Sequence, residues 1–413
     1  MLTERIIPKV EGSGIGSPRD VGVGLGSALR DKITAVGDVL YEYESFRVKQ
    51  PWWMPYSLFK YVAEYQARWT LEQPFRRYFP KQAERLDGMA EGAEVSLDAL
   101  YLYHAFEAVM TSLDSVTCEV PLAACTAIAA RGRRTTTGHA MVAHNFDNVP
   151  LIGRFFTLRE IAPDDGLRSL QFTFAPLSGT VDGINEAGLC ITYNYAMTTD
   201  NDSVGPPVSF AIDEALCRCT NVREASELIM SLPRCGGAML MLADAEGQVA
   251  RLELSSTRSA MQRPRSDGLL FHTNQFRLPR MREMQVSPDA VYAPCTPDGL
   301  RGRRVLESPE RRDDRLSRLL NTDQRLSEQQ LAAWMSDHGD DRNPDDGTVC
   351  MHGEYWSTTA CLQNVSRAAT TAGFLWPCLR SGVRGLQSLI VRDEKTCDSR
   401  CHAGAGMAQC VRS

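Results

Sequence analysis

The sequence predicts an α+β protein in which two sheets lie between helical layers. Three observations carry that expectation. Residues 1–124 read as mainly helical, the texture turns strand-rich at Cys125, and strand blocks then surround a helix pair before more helix follows. A doubly wound parallel sheet would instead show regular β-α-β alternation.

Within 1–124 the best helices are 58–72, 80–93 and 97–112, separated by the breakers Pro51, Pro74 and Pro80. Ser96 caps the last of them, with Asp98 in its first turn favouring the helix dipole. From Cys125, strands are predicted at Thr126–Ala130, Ala140–His144, Phe155–Glu160, Ser169–Ala175 and Leu189–Asn194. Leu170 to Phe174 alternates apolar and polar residues, as a half-buried strand does. Asn185-Glu-Ala-Gly188 reads as a turn. Helices follow at Phe210–Cys219 and Arg223–Ser231. Strands return at Ala238–Ala243, Gln248–Leu254 and Gly268–His272, with Asp244 to Gly247 as a hairpin loop. Residues 301–338 read as helix, and 347–352, 357–364 and 387–392 as extended. Gly22-Val-Gly-Leu-Gly26 lacks the preceding strand and the spacing of a phosphate loop.

The 413 residues suffice for one large domain or two ordinary ones, and 43% hydrophobic with 23% charged residues is ordinary for a globular chain. A net charge of -6 gives no reason to expect a nucleic-acid partner. The basic runs Arg131–Arg134 and 301–318 read as solvated surface. The N-terminus lacks the apolar core of a secretory signal, and no apolar run approaches the ~20 residues of a membrane-spanning helix. A cytoplasmic protein without membrane contact is therefore expected. Thirteen scattered cysteines, an odd number, favour reduced buried thiols over a disulfide framework. Without an export signal, the glycosylation patterns at Asn201 and Asn364 read as chance.

Cys125 follows Pro121-Leu-Ala-Ala, a run of small residues at a strand entry. His144-Asn-Phe-Asp147 comes about twenty residues later and Phe271-His-Thr-Asn274 much later. A thiol after small residues, then an Asn/Asp pair, then a Thr-Asn pair, suits a nucleophile whose base is its own freed α-amine. With Gly183-Ile-Asn-Glu-Ala-Gly-Leu189, Tyr193-Asn194, and Val349-Cys-Met-His352 followed by Ser357-Thr-Thr-Ala, the ordered set resembles the acyl-coenzyme A:6-aminopenicillanic acid acyltransferase family. These are autoproteolytic cysteine amidases of the N-terminal nucleophile superfamily. The resemblance runs over most of the chain and implies an αββα sandwich. It also implies that 1–124 is a pro-segment kept as a small subunit, with 125–392 catalytic and 393–413 a cysteine-bearing tail. Two positions depart from the family pattern: Ala124 stands where the cut bond usually has Gly, and Met351 where Arg commonly follows the late Cys.

On this reading the bond between Ala124 and Cys125 is cut and Cys125 is the catalytic nucleophile. Asn274 is the oxyanion donor, Asp147 holds the α-ammonium or orients a water, and Asn194 contacts the substrate or the new amine. Asn145, Met351 and His352 are weaker candidates for substrate binding. The resemblance implies an amide-bond hydrolase or acyltransferase working through a thioester. Its partners would be a small acyl donor (amide or coenzyme A thioester) and an amine or water acceptor, with no metal or organic cofactor. Two alternatives stand: an inactive binding protein on the same sandwich, and a bile-salt or penicillin V acylase type of amidase, which the long helical leader disfavours. His144, His272 and His352 sit among apolar strand residues and read as structural rather than as a Cys-His base. The loose spacing of Cys397, Cys401, His402 and Cys410 makes zinc binding the lesser reading of the tail. Cys217 and Cys219 on a helix cannot share a face, which argues against a metal pair there.

Overall fold

A computed structural model describes residues 10–42, 44–47, 49–111, 123–148, 153–202, 205–292, 299–340, 345–351, 357–365, 370–375 and 386–391. His352 and the tail 393–413, with its cysteines and His402, lie outside the described residues.

Eight strands form one sheet in the order β1 (Gly12–Gly16), β4 (Phe156–Pro163), β5 (Ser169–Phe174), β6 (Asp182–Asn185), β7 (Cys190–Tyr195), β8 (Ala238–Ala243), β9 (Val249–Leu254), β10 (Ser259–Gln262). Six form the other: β11 (Leu269–His272), β2 (Ala123–Ala130), β3 (Ala140–Asn148), β12 (Ser357–Val365), β13 (Thr370–Leu375), β14 (Leu386–Val391). Neighbours run antiparallel except β1, which pairs parallel with β4.

The described residues between 10 and 111 are mainly helical, with α1 (Pro18–Ala28), α2 (Arg30–Glu42), α3 (Glu44–Arg47), α4 (Tyr56–Tyr78), α5 (Pro80–Ala93) and α6 (Leu97–Thr111). They also supply edge strand β1, which the sequence did not signal. A strand therefore does precede Gly22–Gly26, but those glycines serve helix packing. A Cβ on Gly22 would lie 2.1 Å from the Arg85 carbonyl oxygen, and one on Gly92 would lie 2.2 Å from that of Val23, so α1 and α5 cross backbone to backbone.

Strand alternation shows the layering. On the outer side of the eight-stranded sheet lie α7 (Val208–Arg218) and α8 (Val222–Ser231), and the one-turn α9 (Pro279–Arg282) follows β11. Cys125, Ala127 and Ala129 of β2 share a core with Leu158, Phe172, Ile184 and Met241 of the other sheet. The intervening residues Ile128 and Ala130 pack with Leu316 and Leu320 of α10 (Glu307–Leu320) and with Leu331 and Trp334 of α11 (Glu328–Met335). The order is helix, sheet, sheet, helix: the predicted sandwich.

Pro74 does not break α4, which runs through it. Interior proline costs about 3 kcal/mol. Phe75 and Leu71 are buried, Phe75 edge-on to Phe210 at 4.7 Å, and two such side chains contribute roughly 1.5–3 kcal/mol each. Burial therefore offsets the proline. Residues 301–338 form two helices, and 347–351 turn instead of extending, tied by Thr348 Oγ1 to the carbonyls of Asp345 and Cys350.

The polar face of β5 is not solvated. Gln171 and Thr173 are buried beneath α5 and α7 in a hydrogen-bonded cluster around Asp213. The Asp213 carboxylate accepts from Arg85 (2.9 Å), Gln82 (2.9 Å), Gln171 (2.8 Å) and Thr180 (3.3 Å). Burial pushes its pKa up, but Arg85 overcomes that and leaves it below the ordinary value. Arg159, fully buried, donates to Gln171 and to the carbonyls of Leu177, Ser178 and Gly179. His104 of α6 donates from Nδ1 to Leu100 O and accepts at Nε2 from the Ser178 amide. The leader is thus bonded into the sandwich by side chains at several depths.

Candidate active site

β11 is short. It pairs His272 with Ala127 and stops there, so it leaves the β2 edge uncovered at Cys125. The chain continues as Thr273-Asn274, and side chains take the place of the missing strand. The Cys125 amide donates to Asn274 Oδ1 at 2.9 Å, and the Cys125 carbonyl accepts from Arg312 Nη1. Arg312, on α10, also donates to Thr126 Oγ1 at 2.9 Å and to Asn274 Oδ1 at 2.8 Å. Both main-chain groups of the proposed nucleophile are therefore held by two side chains distant in sequence.

These bonds give Asn274 a role beside the expected one. Its oxygen faces two groups that can only donate, and its Nδ2 donates to the Tyr195 carbonyl at 2.9 Å. The network fixes the amide orientation. Asn274 is an acceptor at the Cys125 nitrogen, and the bond to Tyr195 takes one of the two hydrogens on its Nδ2.

Arg312 was not visible as a site residue. It is fully buried, and among the described residues no carboxylate pairs with it. A buried unpaired guanidinium is costly unless it is used. The basic texture of 301–318 had suggested surface. The one available signal was periodicity, since Arg312 shares a helix face with Pro309 and Leu316, both buried.

Cys125 itself is fully buried. Burial pushes its thiol well above the ordinary value, Asp147 and Asp182 add to that, and Arg312 and a hydrogen bond with Asn274 act the other way. In the continuous chain the sulfur stays protonated at neutral pH.

The other predicted residues divide between the two faces of the ladder. Asn194 faces the space between the sheets and donates from Nδ2 to the Thr273 carbonyl at 3.2 Å, one residue from Asn274. Asp147 pairs with Ala124 across the β2–β3 ladder, on the same face as Asn145 and one register position from the thiol, beside the bond proposed for cutting. Asn145 is a correction: both its amide hydrogens go to buried carbonyls, Met335 at 2.7 Å and Val349 at 2.8 Å, on the face away from the thiol. It clamps the outer helical layer and lines no substrate space. Met351 is fully buried against Ala124. A cavity of about 10 Å³, room for a single water, is lined by Ala124, Tyr195, Tyr292, Arg303, Ser308 and Arg312 among others.

Among the described residues, no histidine bonds Cys125. His144 Nδ1 meets Asp182 Oδ2 at 2.6 Å, both buried. His272 is held well below its ordinary pKa by burial and by the charge of Arg251. Asn194 Oδ1, Thr192 Oγ1, His144 Nε2 and both His272 ring nitrogens have no hydrogen-bond partner among the described residues. Cys125, Cys190, Cys217 and Cys219 are free and buried, as expected of reduced thiols, Cys235 and Cys350 are buried too, and burial pushes Cys217 and Cys219 up to about 11.

Residues 134–343 match the family model AAT, "Acyl-coenzyme A:6-aminopenicillanic acid acyl-transferase". No curated protein matches the chain. Among solved structures, an N-acylethanolamine-hydrolyzing acid amidase ortholog of Caenorhabditis elegans is similar at 15% identity and TM-score 0.38, covering 57% of this chain and 92% of that one. Penicillin V acylase of Agrobacterium tumefaciens is similar at 15% identity and TM-score 0.35, covering 61% and 83%. A mutant of the conjugated bile acid hydrolase of Clostridium perfringens is similar at 14% identity and TM-score 0.33, covering 66% and 97%.

Proposed function

Since the chain belongs to the acyl-coenzyme A:6-aminopenicillanic acid acyl-transferase family, an enzyme family of the amidohydrolase and acyltransferase type, we propose that it is a self-processing cysteine amidase or acyltransferase that works through a thioester on Cys125. The matched span begins at residue 134, so the choice of Cys125 rests on geometry. The carrying observation is the grip of Asn274 and Arg312 on the amide and carbonyl of Cys125.

Self-cleavage begins with attack of the Cys125 sulfur on the Ala124 carbonyl carbon. The C–N bond breaks, the thiol proton passes to the departing nitrogen, and Ala124 is carried as a thioester. Water then opens the thioester, releasing the Ala124 carboxylate and the free thiol. Asp147, opposite Ala124, orients that water or holds the new ammonium. Ala124 raises no backbone objection: among the described residues the single non-glycine at positive φ is Glu94. The liberated α-amine, with pKa near ~8, stays on Asn274 Oδ1, which keeps its lone pair turned to the sulfur.

In turnover the amine takes the thiol proton and the thiolate attacks the substrate carbonyl. Arg312 supplies positive charge beside the developing oxyanion, and Asn194 offers the second hydrogen of its amide. The ammonium returns its proton to the leaving amine or thiol. Water or an amine then discharges the acyl-thioester. The small subunit of residues 1–124 stays with the catalytic residues 125–392.

Denaturing electrophoresis with N-terminal sequencing should show two fragments, one beginning Cys125-Thr-Ala-Ile. Cys125→Ala should remain full length and inactive on N-acyl amides and acyl-coenzyme A thioesters. An uncut chain with full activity, or turnover by Cys125→Ala, would overturn the reading.

A further inference from the structure

Ala124 is 4% exposed and Cys125 is fully buried, so the bond proposed for cutting is shut off from bulk solvent. A thioester formed there needs water to open it, and that water has to come from inside. The cavity of about 10 Å³ that touches Ala124 has room for one water, and a buried water needs two to four polar partners. Tyr195 and Tyr292 line the cavity, and among the described residues neither phenol oxygen has a hydrogen-bond partner. Tyr195 is buried at the end of β7, where its carbonyl fixes Asn274. Tyr292 is held through its main chain, the amide donating to Arg303 O at 3.0 Å and the carbonyl accepting from the Gly302 amide at 3.2 Å.

The other polar side chains of the wall are engaged. Ser308 donates to Asp346 O, Arg303 pairs with Glu307 and with Asp346 at 2.9 Å each, and Arg312 grips the Cys125 carbonyl. The two phenols differ from them in having bonds still to make. Burial pushes the Tyr195 phenol well above its ordinary value, Tyr292 and Cys125 beside it add to that, and burial pushes Tyr292 up as well. Both therefore stay protonated at neutral pH. A neutral phenol is no base, but its oxygen accepts a hydrogen bond. Two such acceptors can take both hydrogens of one water and leave its lone pairs for a carbonyl carbon.

Resting on the self-processing reading, we propose that this cavity seats the water that opens the Ala124 thioester, with Tyr195 and Tyr292 as its positioning residues. The water oxygen bonds to the Ala124 carbonyl carbon and the C–S bond breaks. One water proton goes to the leaving sulfur and the other to the freed α-amine, giving carboxylate, thiol and ammonium. Asp147 then takes the other task proposed for it, holding that ammonium. Full-length chain made by cell-free synthesis should cut itself about tenfold or more slowly as Y195F/Y292F than as wild type. On the uncut Cys125→Ala background the same pair of changes should leave the melting temperature where it was. The sulfur's attack needs neither hydroxyl, so the slow variant still forms its thioester. Neutral hydroxylamine, which opens thioesters and not amides, should restore its cutting to near the wild-type rate, a rescue that a merely structural role would not give. A variant that cuts at the wild-type rate overturns the proposal and leaves Cys125 as the nucleophile. Slow cutting that hydroxylamine does not speed overturns it too. A wild type that stays whole with and without hydroxylamine overturns the self-processing reading, and this inference with it.

Discussion

Two buried polar clusters occupy this molecule, and they are built differently. Around Asp213 the carboxylate is bonded on both oxygens and Arg159 has four acceptors; Gln82 Oε1 and Arg85 Nε are left over. Around Cys125 the groups are as deeply buried, yet Asn194, Thr192, His144 and His272 keep unpartnered atoms among the described residues, and Arg312 has no carboxylate there. Buried polar groups in native proteins are nearly all paired. The first cluster follows that rule and joins leader to sandwich. The second departs from it, and under-bonded polar groups beside a thiol suit a place where bonds are made to something that comes and goes.

The sharpest way to break the contrast is Asp213→Ala. It strands Arg85 and Arg159 without a counter-charge and should cost about 3–5 kcal/mol in denaturant unfolding, because a buried pair with one partner removed is strongly destabilising. A cost below about 1 kcal/mol would mean the cluster is not the brace described.

Acid should act on the same brace. Burial, helped by the charge of Arg159 against the bond to Leu100, pushes His104 down to about 4, while an unfolded histidine titrates near ~6.5. The unfolded chain therefore binds more protons between those values. Stability is full above about pH 6.5 and is lost as pH falls toward 4, by up to about 3 kcal/mol from His104. His272 is depressed in the same sense. Melting temperatures measured from about pH 7 to about pH 4.5 should fall, and His104→Gln should flatten the slope; a flat wild-type profile would count against it.

On the other side of the comparison the effect moves from stability to rate. Asn274→Leu should slow fragment formation and turnover roughly a hundredfold, since it removes the acceptor that positions the amine. Time courses of cleavage and acyl release check this, and unchanged rates would exclude the role. The smallest effect is Thr192→Val. With no partner for Oγ1 among the described residues, a methyl group should raise unfolding free energy by about 1 kcal/mol. A loss instead would show the hydroxyl bonded in the working protein.

Much of the fold was legible where local chemistry and tertiary demand agree. The alternation in β5 and the apolar runs of β7 to β9 give strands, and small residues around Cys125 mark a strand held close to its neighbours. Failure came where distant packing decides. Pro74 reads as a breaker until Phe210 is known to cover Phe75, and β1 is five residues of Gly, Ser and Ile that become a strand because β4 presents an edge. Of the residues singled out for the site, the fold brings Cys125, Asn274 and Asn194 together, and Asp147 lies one register position from the thiol, on the face of Asn145. The direction in which Asn274 faces was not legible, because Arg312 and Tyr195 set it from elsewhere in the chain. Asn145 illustrates the converse, since one position along a strand moves a side chain to the other face.

The parallel pairing of β1 with β4 has a practical consequence. With that strand laid into the eight-stranded sheet, and with Gln82, Arg85 and His104 bonded across to Asp213 and Ser178, a cut at Cys125 would leave two polypeptides folded as one body. Gel filtration in native buffer would report the same particle before and after. The severed halves, once denatured apart, would have to rebuild a shared sheet from two chains, so maturation is expected to be easy to complete and hard to reverse.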